Sequence, residues 1–440
     1  MIRPTVTASS RWHFPTPHIE VLANGLTVWA YHLPGQHVAV ASLVADAPLD
    51  AEPRDREGVA TLALRAADEG TPAHPDGQIS ELIEAQGCQV YGDQARYAAN
   101  LTFDVPTTRL DAALPLFTEI VTGSEYAERD IAQHRELLLA EYLQRRASPR
   151  GAVAMALARA LWQPGSREHR PVIGRPDTIE QITRDDVVAF RRWWAPATSH
   201  LVIAGDFASD PLPLLRDTLG GWDADALAAP NEAPAQQCDP VVLVVDRPGA
   251  VQADVRLAMH SIGRTDPRTP AAKIGGHAMG GAFASRLNQT LREDKGYTYG
   301  VSAGFAPRRH GSLFSVGGSF RTEVTGAAIE LCLDHLRLDE PFAPDEIADA
   351  QNYIVGVSPL ANETASDIVR QASSLVIGRV DADYVNRLHD GVLAATPDEV
   401  SATFRELVAP ERLSIAIAGD AAGLAPQLAA LGLEPQVVNL

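Results

Sequence analysis

The feature that most limits how this chain can fold is an internal repeat with a period of about 214 residues. Pro196 is followed nine residues later by a Gly-Asp pair at 205–206, and Pro410 is followed at the same distance by a Gly-Asp pair at 419–420. Each interval contains a short run of apolar, strand-forming residues. A long period that occurs only twice indicates a duplicated domain rather than a solenoid of short repeats.

A second motif supports the same repeat. Upstream of each strand stands the pattern Thr-X-Asp-acid-Val, at 183–187 and again at 396–400. We therefore predict a first domain at 1–222 and a homologous second domain at 241–440. The segment between them, 223–240, is rich in Ala, Pro, Asn and Gln and is typical of a linker.

Strand and helix patterns form blocks within each half. Residues 26–31 and 38–44 predict two neighbouring strands on either side of a Pro-Gly turn, and residues 58–67 predict a helix. The second half opens with a predicted strand at 241–245. Such blocks indicate an α+β fold of two homologous domains, each an antiparallel-rich sheet with helices packed on one face.

Composition and charge limit the cellular compartment and the binding partners that we expect for this chain. The 440 residues carry a net charge of −19, which argues against nucleic acid or an anionic membrane as a partner. We see no signal-peptide pattern, and no apolar run approaches the ~18–20 residues that span a bilayer. The three cysteines, Cys88, Cys238 and Cys332, are too scattered for a disulfide framework or a cysteine zinc site. We expect a protein of a reducing cytoplasm.

The stretch 280–300 carries the pattern with the most chemistry. Leu287 and Leu291 lie four residues apart and predict an amphipathic helix over about 285–295. Gly296 follows a basic residue of the last turn, which is how helices commonly end. The strand-forming residues at 297–305 then predict that the chain enters a sheet.

Two polar side chains of this stretch are expected to point at the same rim. Arg292 lies in the last turn of the predicted helix, and Tyr299 lies near the start of the predicted strand. A guanidinium beside a phenol gives hydrogen-bond donors suited to an oxyanion. An Arg and a Tyr near a helix end are structural in most proteins, however, so the local pattern leaves both roles open.

These residues resemble a known family. The segment 285–299, Ser-Arg-Leu-Asn-Gln-Thr-Leu-Arg-Glu-Asp-Lys-Gly-Tyr-Thr-Tyr, is similar to the second-domain signature of the pitrilysin/insulinase metallopeptidases, and above all to their small bacterial and mitochondrial-processing-peptidase-like subunits. In that family an Arg and a Tyr seven residues later hold the substrate carbonyl, and Arg292 and Tyr299 have this spacing. The resemblance implies an unfolded peptide substrate, bound as an added strand in an enclosed chamber.

The glycines ahead of this helix resemble, more loosely, the glycine-rich loop of the non-zinc processing-peptidase subunit. Gly280 and Gly281 are therefore candidate substrate-binding residues. A flexible entry to the helix is an equally good interpretation of the same glycines.

The family's zinc motif is missing. Active members carry His-X-X-Glu-His on a first-domain helix, in which the two His bind Zn²⁺ and the Glu acts on the attacking water. The segment 58–71 fits the family register through its flanking Gly-X-Ala and Gly-Thr. Its three functional positions are Thr61, Leu64 and Arg65. None of these side chains can replace an imidazole ligand or the general base.

The family's more distant glutamate ligand has a match in Glu141. One carboxylate cannot hold zinc, and Arg145 follows four residues later. We therefore expect Glu141 to be an ion-pair partner on a helix surface.

The resemblance implies a division of labour between two subunits. We expect this chain to have no activity and no cofactor of its own, and to pair with a homologous subunit that carries the zinc. Arg292 and Tyr299 would then hold the peptide carbonyl and stabilise the oxyanion. The alternative is a catalytically inactive structural or interaction homologue of the same family.

Overall fold

A computed structural model of the chain describes residues 12–228 and 237–440. Residues 229–236 of the predicted linker lie outside the described residues, so the boundaries at 222 and 241 stay a prediction. The strands are β1 His18–Val21, β2 Thr27–His32, β3 Val38–Ala45, β4 Gln89–Gln94, β5 Ala99–Pro106, β6 Ser199–Gly205, β7 Val242–Asp246, β8 Gln252–His260, β9 Val301–Ala306, β10 Leu313–Arg321, β11 Ser414–Gly419 and β12 Pro435–Val438.

Helices surround these strands in both halves. The α-helices are α1 Val59–Arg65, α2 Gln78–Ala85, α3 Leu110–Gly123, α4 Glu128–Ala147, α5 Pro149–Leu161, α6 Pro176–Ile179, α7 Arg184–Arg191, α8 Leu212–Leu219, α9 Thr269–Gly276, α10 Arg286–Asn288, α11 Thr325–Arg337, α12 Pro344–Gly356, α13 Ser358–Ala361, α14 Ala365–Ile377, α15 Tyr384–Ala394, α16 Pro397–Leu407 and α17 Ala421–Ala430. Two segments, His277–Gly281 and Gln289–Asp294, are π-helical. In the described part of the chain, no helix combines the length and the apolar character that crossing a bilayer requires.

The two sheets share one topology, as a duplicated domain requires. The first has the order β1-β2-β6-β3-β5-β4 and the second the order β12-β7-β11-β8-β10-β9. In each sheet one parallel pair, β2 with β6 or β7 with β11, is followed by a run of antiparallel pairs. The outermost strands differ, because β1 is antiparallel to β2 whereas β12 is parallel to β7. The predicted α+β fold of two homologous halves is confirmed.

The repeated Thr-X-Asp-acid-Val motif is the start of a helix. The Thr183 hydroxyl accepts a hydrogen bond from the backbone N–H of Asp186 at 3.2 Å, and the Thr396 hydroxyl accepts one from that of Glu399 at 3.3 Å. Such N-caps contribute roughly 1 kcal/mol each. The capped helices, α7 and α16, lead into β6 and β11, the almost fully buried inner strands of the two sheets.

The prediction that residues 26–31 and 38–44 form neighbouring strands is wrong. These residues fall in β2 and β3, and β6 lies between them with hydrogen bonds to both. Two strand spacings are roughly 9–10 Å, which the connection between β2 and β3 spans easily. The apolar β6 takes the inner position because both of its faces are then buried.

The two halves exchange helices, which the sequence did not predict. Each sheet carries helices of its own half on one face. The other face of the first sheet is covered by α14 of the second half, through Ile368 and Val369 among others. Reciprocally, α5 of the first half packs through Ala152 and Val153 on the second sheet. Separating the halves would therefore expose a large apolar face on each.

Candidate functional site

Arg292 lies on a widened helical turn. The predicted helix at 285–295 begins as α10 and continues as the π-helical segment Gln289–Asp294. Leu287 and Leu291 are fully buried, so the segment is anchored on its apolar face and presents Arg292 on the other. Gly296, with φ of +63°, ends the segment as predicted. π-helical turns are found frequently at functional sites.

The Arg292 guanidinium is held by an aromatic ring rather than by a close carboxylate. Its Cζ lies 3.9 Å from the centroid of the Phe283 ring, a cation–π contact. The ion pair with Glu293 is long, at 3.6 Å between Nε and the carboxylate oxygen. The ring therefore orients the planar donor fork while leaving its N–H groups available to a ligand.

Tyr299 lies ahead of its sheet rather than within it. The prediction that the strand begins at residue 297 is wrong, because β9 starts at Val301. The Thr298 hydroxyl hydrogen-bonds both to the carbonyl and to the N–H of Gly300, which satisfies the backbone in a turn. Tyr299 is 96% exposed at the tip of this turn, and its phenol is available to a ligand.

Asn288 ties the three parts of the site together, and sequence reasoning missed it. Its amide donates to the Val301 carbonyl and accepts from the Val301 N–H, both at 2.9 Å, so it pairs with the first residue of β9 as a strand would. The same side chain donates to the carbonyl of Ala282 at 3.1 Å. Asn288 therefore positions the helical turn, the glycine segment and the strand relative to one another.

Gly280 allows the helical segment His277–Gly281 to approach β9 closely, whereas Gly281 faces His277 of its own segment. A Cβ on Gly280 would lie 2.7 Å from the backbone nitrogen of Ala303, and one on Gly281 would lie 3.0 Å from Nδ1 of His277. Larger residues at Gly280 would push β9 away from the helical segment. Packing therefore explains the glycine at 280, whatever part the pair plays in binding.

The structure places the four predicted site residues, Arg292, Tyr299, Gly280 and Gly281, along one groove of about 610 Å³. Arg150 of α5 and Asp254 and Arg256 of β8 line the same groove. A side chain at Gly317 of β10 would overlap the Arg256 guanidinium, which therefore lies against that strand.

The groove is locally cationic although the chain as a whole is acidic. Three arginines face one carboxylate, Asp254. Burial raises the pKa of Asp254, and the nearby charges of Arg256 and Arg150 oppose that shift. Sequence reasoning missed this cluster, since the arginines come from α5, β8 and the π-helical turn and meet only through the helix exchange between the halves.

The positions that the resemblance assigns to zinc do not fit a metal. Thr61 and Leu64 are buried in α1, and a Cβ on Gly92 of β4 would clash with Leu64, so no space is left there for a ligand shell. No group of three or more His, Cys, Asp or Glu side chains arranged to hold a metal ion occurs in the described residues. Thr61, Leu64 and Arg65 therefore offer none of the imidazole or carboxylate ligands that a zinc site requires.

Glu141 is neutralised by two arginines. Arg65 approaches one carboxylate oxygen at 2.7 Å and Arg145 the other at 2.5 Å, which confirms the prediction of an ion-pair partner. Burial raises the pKa of Glu141, but the hydrogen bonds and charges of Arg65 and Arg145 outweigh it and hold the pKa below its usual range. The Arg65 side chain thus supplies a positive charge to the carboxylate that would bind a metal in an active homologue.

Comparison with known proteins assigns the family. The model described as "Insulinase (Peptidase family M16)" matches residues 27–173, and the model described as "Peptidase M16 inactive domain" matches residues 181–353. The chain belongs to the M16 peptidase family. The second match contains Arg292, Tyr299 and the glycine segment.

Individual M16 proteins agree with this assignment. An uncharacterized zinc protease of Streptomyces coelicolor is 26% identical over 80% of this chain and 78% of its own length. A non-peptidase homolog of Helicobacter pylori, YmxG, is 21% identical over 71% of this chain and 73% of its own length. The crystal structure of a peptidase M16 inactive domain from Pseudomonas fluorescens superposes with a TM-score of 0.84 at 22% identity, covering 92% of this chain and 98% of that one. These likenesses agree with membership of the M16 family and with its fold, and they include both a protein named as a zinc protease and one named as a non-peptidase homolog.

Proposed function

We propose that this chain is the non-zinc subunit of a two-subunit zinc peptidase, in which Arg292 and Tyr299 bind the substrate carbonyl and stabilise the oxyanion. One observation carries the proposal. The donors of Arg292 and Tyr299 lie along one open groove, while the zinc positions in the same chain hold Thr61, Leu64 and Arg65. A chain that has lost the metal but keeps an accessible pair of oxyanion donors is suited to complete another subunit's active site.

The chemistry follows from the two donors. The attacking hydroxide would come from the zinc of a homologous partner subunit. As the carbonyl carbon becomes tetrahedral, negative charge develops on its oxygen, and Arg292 and Tyr299 would donate hydrogen bonds to that oxygen. The guanidinium is already oriented on Phe283, so little reorganisation is needed at the moment of reaction.

The groove suits an unfolded peptide with acidic side chains. β9 lies at the end of the second sheet, and its residues Val301 and Ser302 line the groove. An extended peptide could add to such a terminal strand through backbone hydrogen bonds. Arg150 and Arg256 would then attract acidic side chains of that peptide. We propose a cytoplasmic setting without nucleic-acid or membrane partners, in keeping with the acidic net charge and with cysteines that are unpaired in the described residues.

A second candidate function is a structural or interaction homologue without a catalytic contribution. The similarity to a protein named as a non-peptidase homolog favours it. The two functions differ in one property, which is whether Arg292 and Tyr299 contribute to turnover.

The deciding experiment measures zinc per chain and cleavage of an unstructured peptide, first on this chain alone and then on its complex with a zinc-bearing homologue from the same source. We expect zinc and activity only in the complex. A stable complex without activity would favour the structural homologue. Zinc and activity in the lone chain would overturn both assignments.

Restoring the motif residues alone is not expected to restore activity. The triple change Thr61→His, Leu64→Glu and Arg65→His supplies the missing side chains, but the new glutamate would lie where Leu64 packs against Gly92. Arg145 would also keep its ion pair with Glu141. Metal sites need supporting hydrogen bonds around the ligands, so we expect less than one zinc per chain and no cleavage by the lone variant. Full activity of that variant would contradict this prediction.

A further inference from the structure

The second half contains a cavity of about 450 Å³ that is separate from the groove of Arg292. Its walls come from α9, the end of β9, α12, α13, α14 and α15. Much of the lining is apolar, including Phe305, Ile354, Val357, Val385 and Leu388. The volume lies within the range of roughly 300–1,000 Å³ that is usual for small-molecule sites.

One unpaired cation lines this cavity. Lys273 of α9 has no hydrogen bond and no ion pair with any other described residue, and the cavity lining contains no Asp or Glu. Burial lowers the pKa of Lys273, and the charge of Arg264 lowers it further. Lys273 is an exposed residue, so its ammonium group is accessible to a ligand that enters the cavity.

Several other polar groups of the cavity are already engaged. Arg264 donates to the carbonyl of Ser374 at 2.6 Å and to its hydroxyl at 3.0 Å. His389 and Ser358 hydrogen-bond to each other at 3.2 Å. The buried Oδ1 of Asn362 and Nδ1 of His389 have no hydrogen-bond partner among the described residues. The cavity therefore offers a ligand one unpaired ammonium group, these two neutral polar atoms and an apolar wall.

We propose that this cavity binds a small-molecule carboxylate with an apolar chain, whose carboxylate pairs with Lys273. An ammonium group that has no counter-ion among the described residues attracts a carboxylate, and the apolar walls beside it strengthen that attraction by lowering the local dielectric. A single free cation matches one negative charge better than it matches a phosphate dianion, which usually needs several donors. The apolar side chains around it would take up the hydrocarbon part of the ligand. This site does not depend on the proposed peptidase role.

Occupation of the cavity would also strengthen the junction between the halves. Two of its walls, α14 and α15, contribute Leu375 and Val385 to the core against the first sheet. A ligand that binds the folded chain raises its stability according to its concentration relative to the dissociation constant. Carboxylate binding is therefore expected to raise the melting temperature of the chain.

The sequence itself provides a sensitive test, because Lys273 and Lys295 are its only lysines. Both would be acetylated with an amine-selective reagent and quantified by mass spectrometry, with and without octanoate. We expect octanoate to slow the labelling of Lys273 several-fold while the exposed Lys295 labels as before. Octanamide, the neutral analogue, should not protect. Equal protection of both lysines, or of neither, would overturn the proposal.

A matched pair of variants gives an independent measurement. Octanoate is expected to bind the wild-type chain saturably by calorimetry and to raise its melting temperature. Lys273→Met removes the charge, keeps a side chain of similar length and should weaken octanoate binding at least tenfold. Lys295→Met should bind as the wild type does. Because Lys273 is exposed and makes no hydrogen bond or ion pair with another described residue, Lys273→Met is expected to fold, and undiminished binding by it would refute the site.

Discussion

Arg292→Ala is expected to lower kcat of the assembled two-subunit peptidase by about 10²–10³-fold, the usual cost of removing one donor from an oxyanion site. Tyr299→Phe, which removes only a hydroxyl, should cause a loss of similar size. Since these hydrogen bonds strengthen as charge develops on the carbonyl oxygen, kcat and kcat/KM should fall together. The measurement is steady-state cleavage of an unstructured peptide by the complex with the zinc-bearing homologue.

Both changes should leave folding and assembly intact. Tyr299 projects into solvent, and the contact that holds the Arg292 guanidinium is the exposed Phe283 ring. The chain offers matched controls outside the groove. Arg321→Ala removes an arginine whose ion pair with Glu323 is also 3.6 Å long, and Tyr353→Phe removes another exposed phenol. Near-normal turnover by the complex that contains Arg292→Ala, or equal losses of turnover in the control variants, would contradict the role assigned to Arg292 and Tyr299.

Much of the fold could be predicted from the sequence because two separate motifs occur once in each half. The Thr caps at 183 and 396 and the Gly-Asp pairs at 205–206 and 419–420 bracket the same helix and inner strand in each half. Local rules govern these features, since a cap depends on a side chain three residues from its partner. The repeat therefore predicted the number of halves, and the blocks of strand and helix patterns within each half predicted the fold class.

Features that depend on distant contacts could not be predicted in this way. The position of β6 between β2 and β3 depends on the burial of both faces of β6. The exchange of α5 and α14 depends on each helix packing on the sheet of the other half. Neither has a signature within a short window of sequence. Period and propensity identify elements, but tertiary burial decides their neighbours.

The candidate site also contains residues that a local sequence pattern can identify and residues that only distant contacts bring together. Arg292 and Tyr299 were found through the resemblance of one short segment to a known family, and the structure places both along one groove. Asn288 gave no signal because its function is to pair with a strand that begins later in the chain. The arginines at 150 and 256 gave none because they come from different halves. The residues that sequence reasoning selected lie within one turn and one helix, and their role in binding stays a prediction.

The loss of zinc side chains from α1 raises the question of what keeps this helix in place. Its start is held by a buried network in which Glu52 accepts hydrogen bonds from the backbone N–H groups of Gly58 and Ala60, at 2.9 and 3.1 Å. Arg167 donates to the same carboxylate at 2.7 and 3.0 Å. The side chains of Arg167 and Glu52 are 4% and 0% exposed. The helix therefore depends on an ion pair that is shielded from solvent.

Arg167→Met is expected to lower the free energy of unfolding by about 3–5 kcal/mol, because it leaves the Glu52 charge buried and unpaired. Arg175→Met removes an arginine from an exposed pair with Asp177, 2.9 Å long, and should cost no more than about 1 kcal/mol. Urea unfolding followed by tryptophan fluorescence and circular dichroism would compare the two variants. Equal effects would contradict the role given to the buried pair.

The pH dependence of Arg167→Met gives a second test of the same charge. Burial already raises the pKa of Glu52, opposed by Arg167 and by the N–H groups of Ala60 and Gly58. Without Arg167 the pKa should rise further above its value in the unfolded chain, so the folded variant would bind a proton that the unfolded chain has released. Its stability should then fall as pH rises through that interval. The deficit relative to the wild type should shrink at acid pH, where Glu52 is protonated. A deficit independent of pH would show that its cause is lost packing or the lost hydrogen bonds from Arg167 to the carbonyls of Arg170, Pro171 and Val172, and not the buried charge.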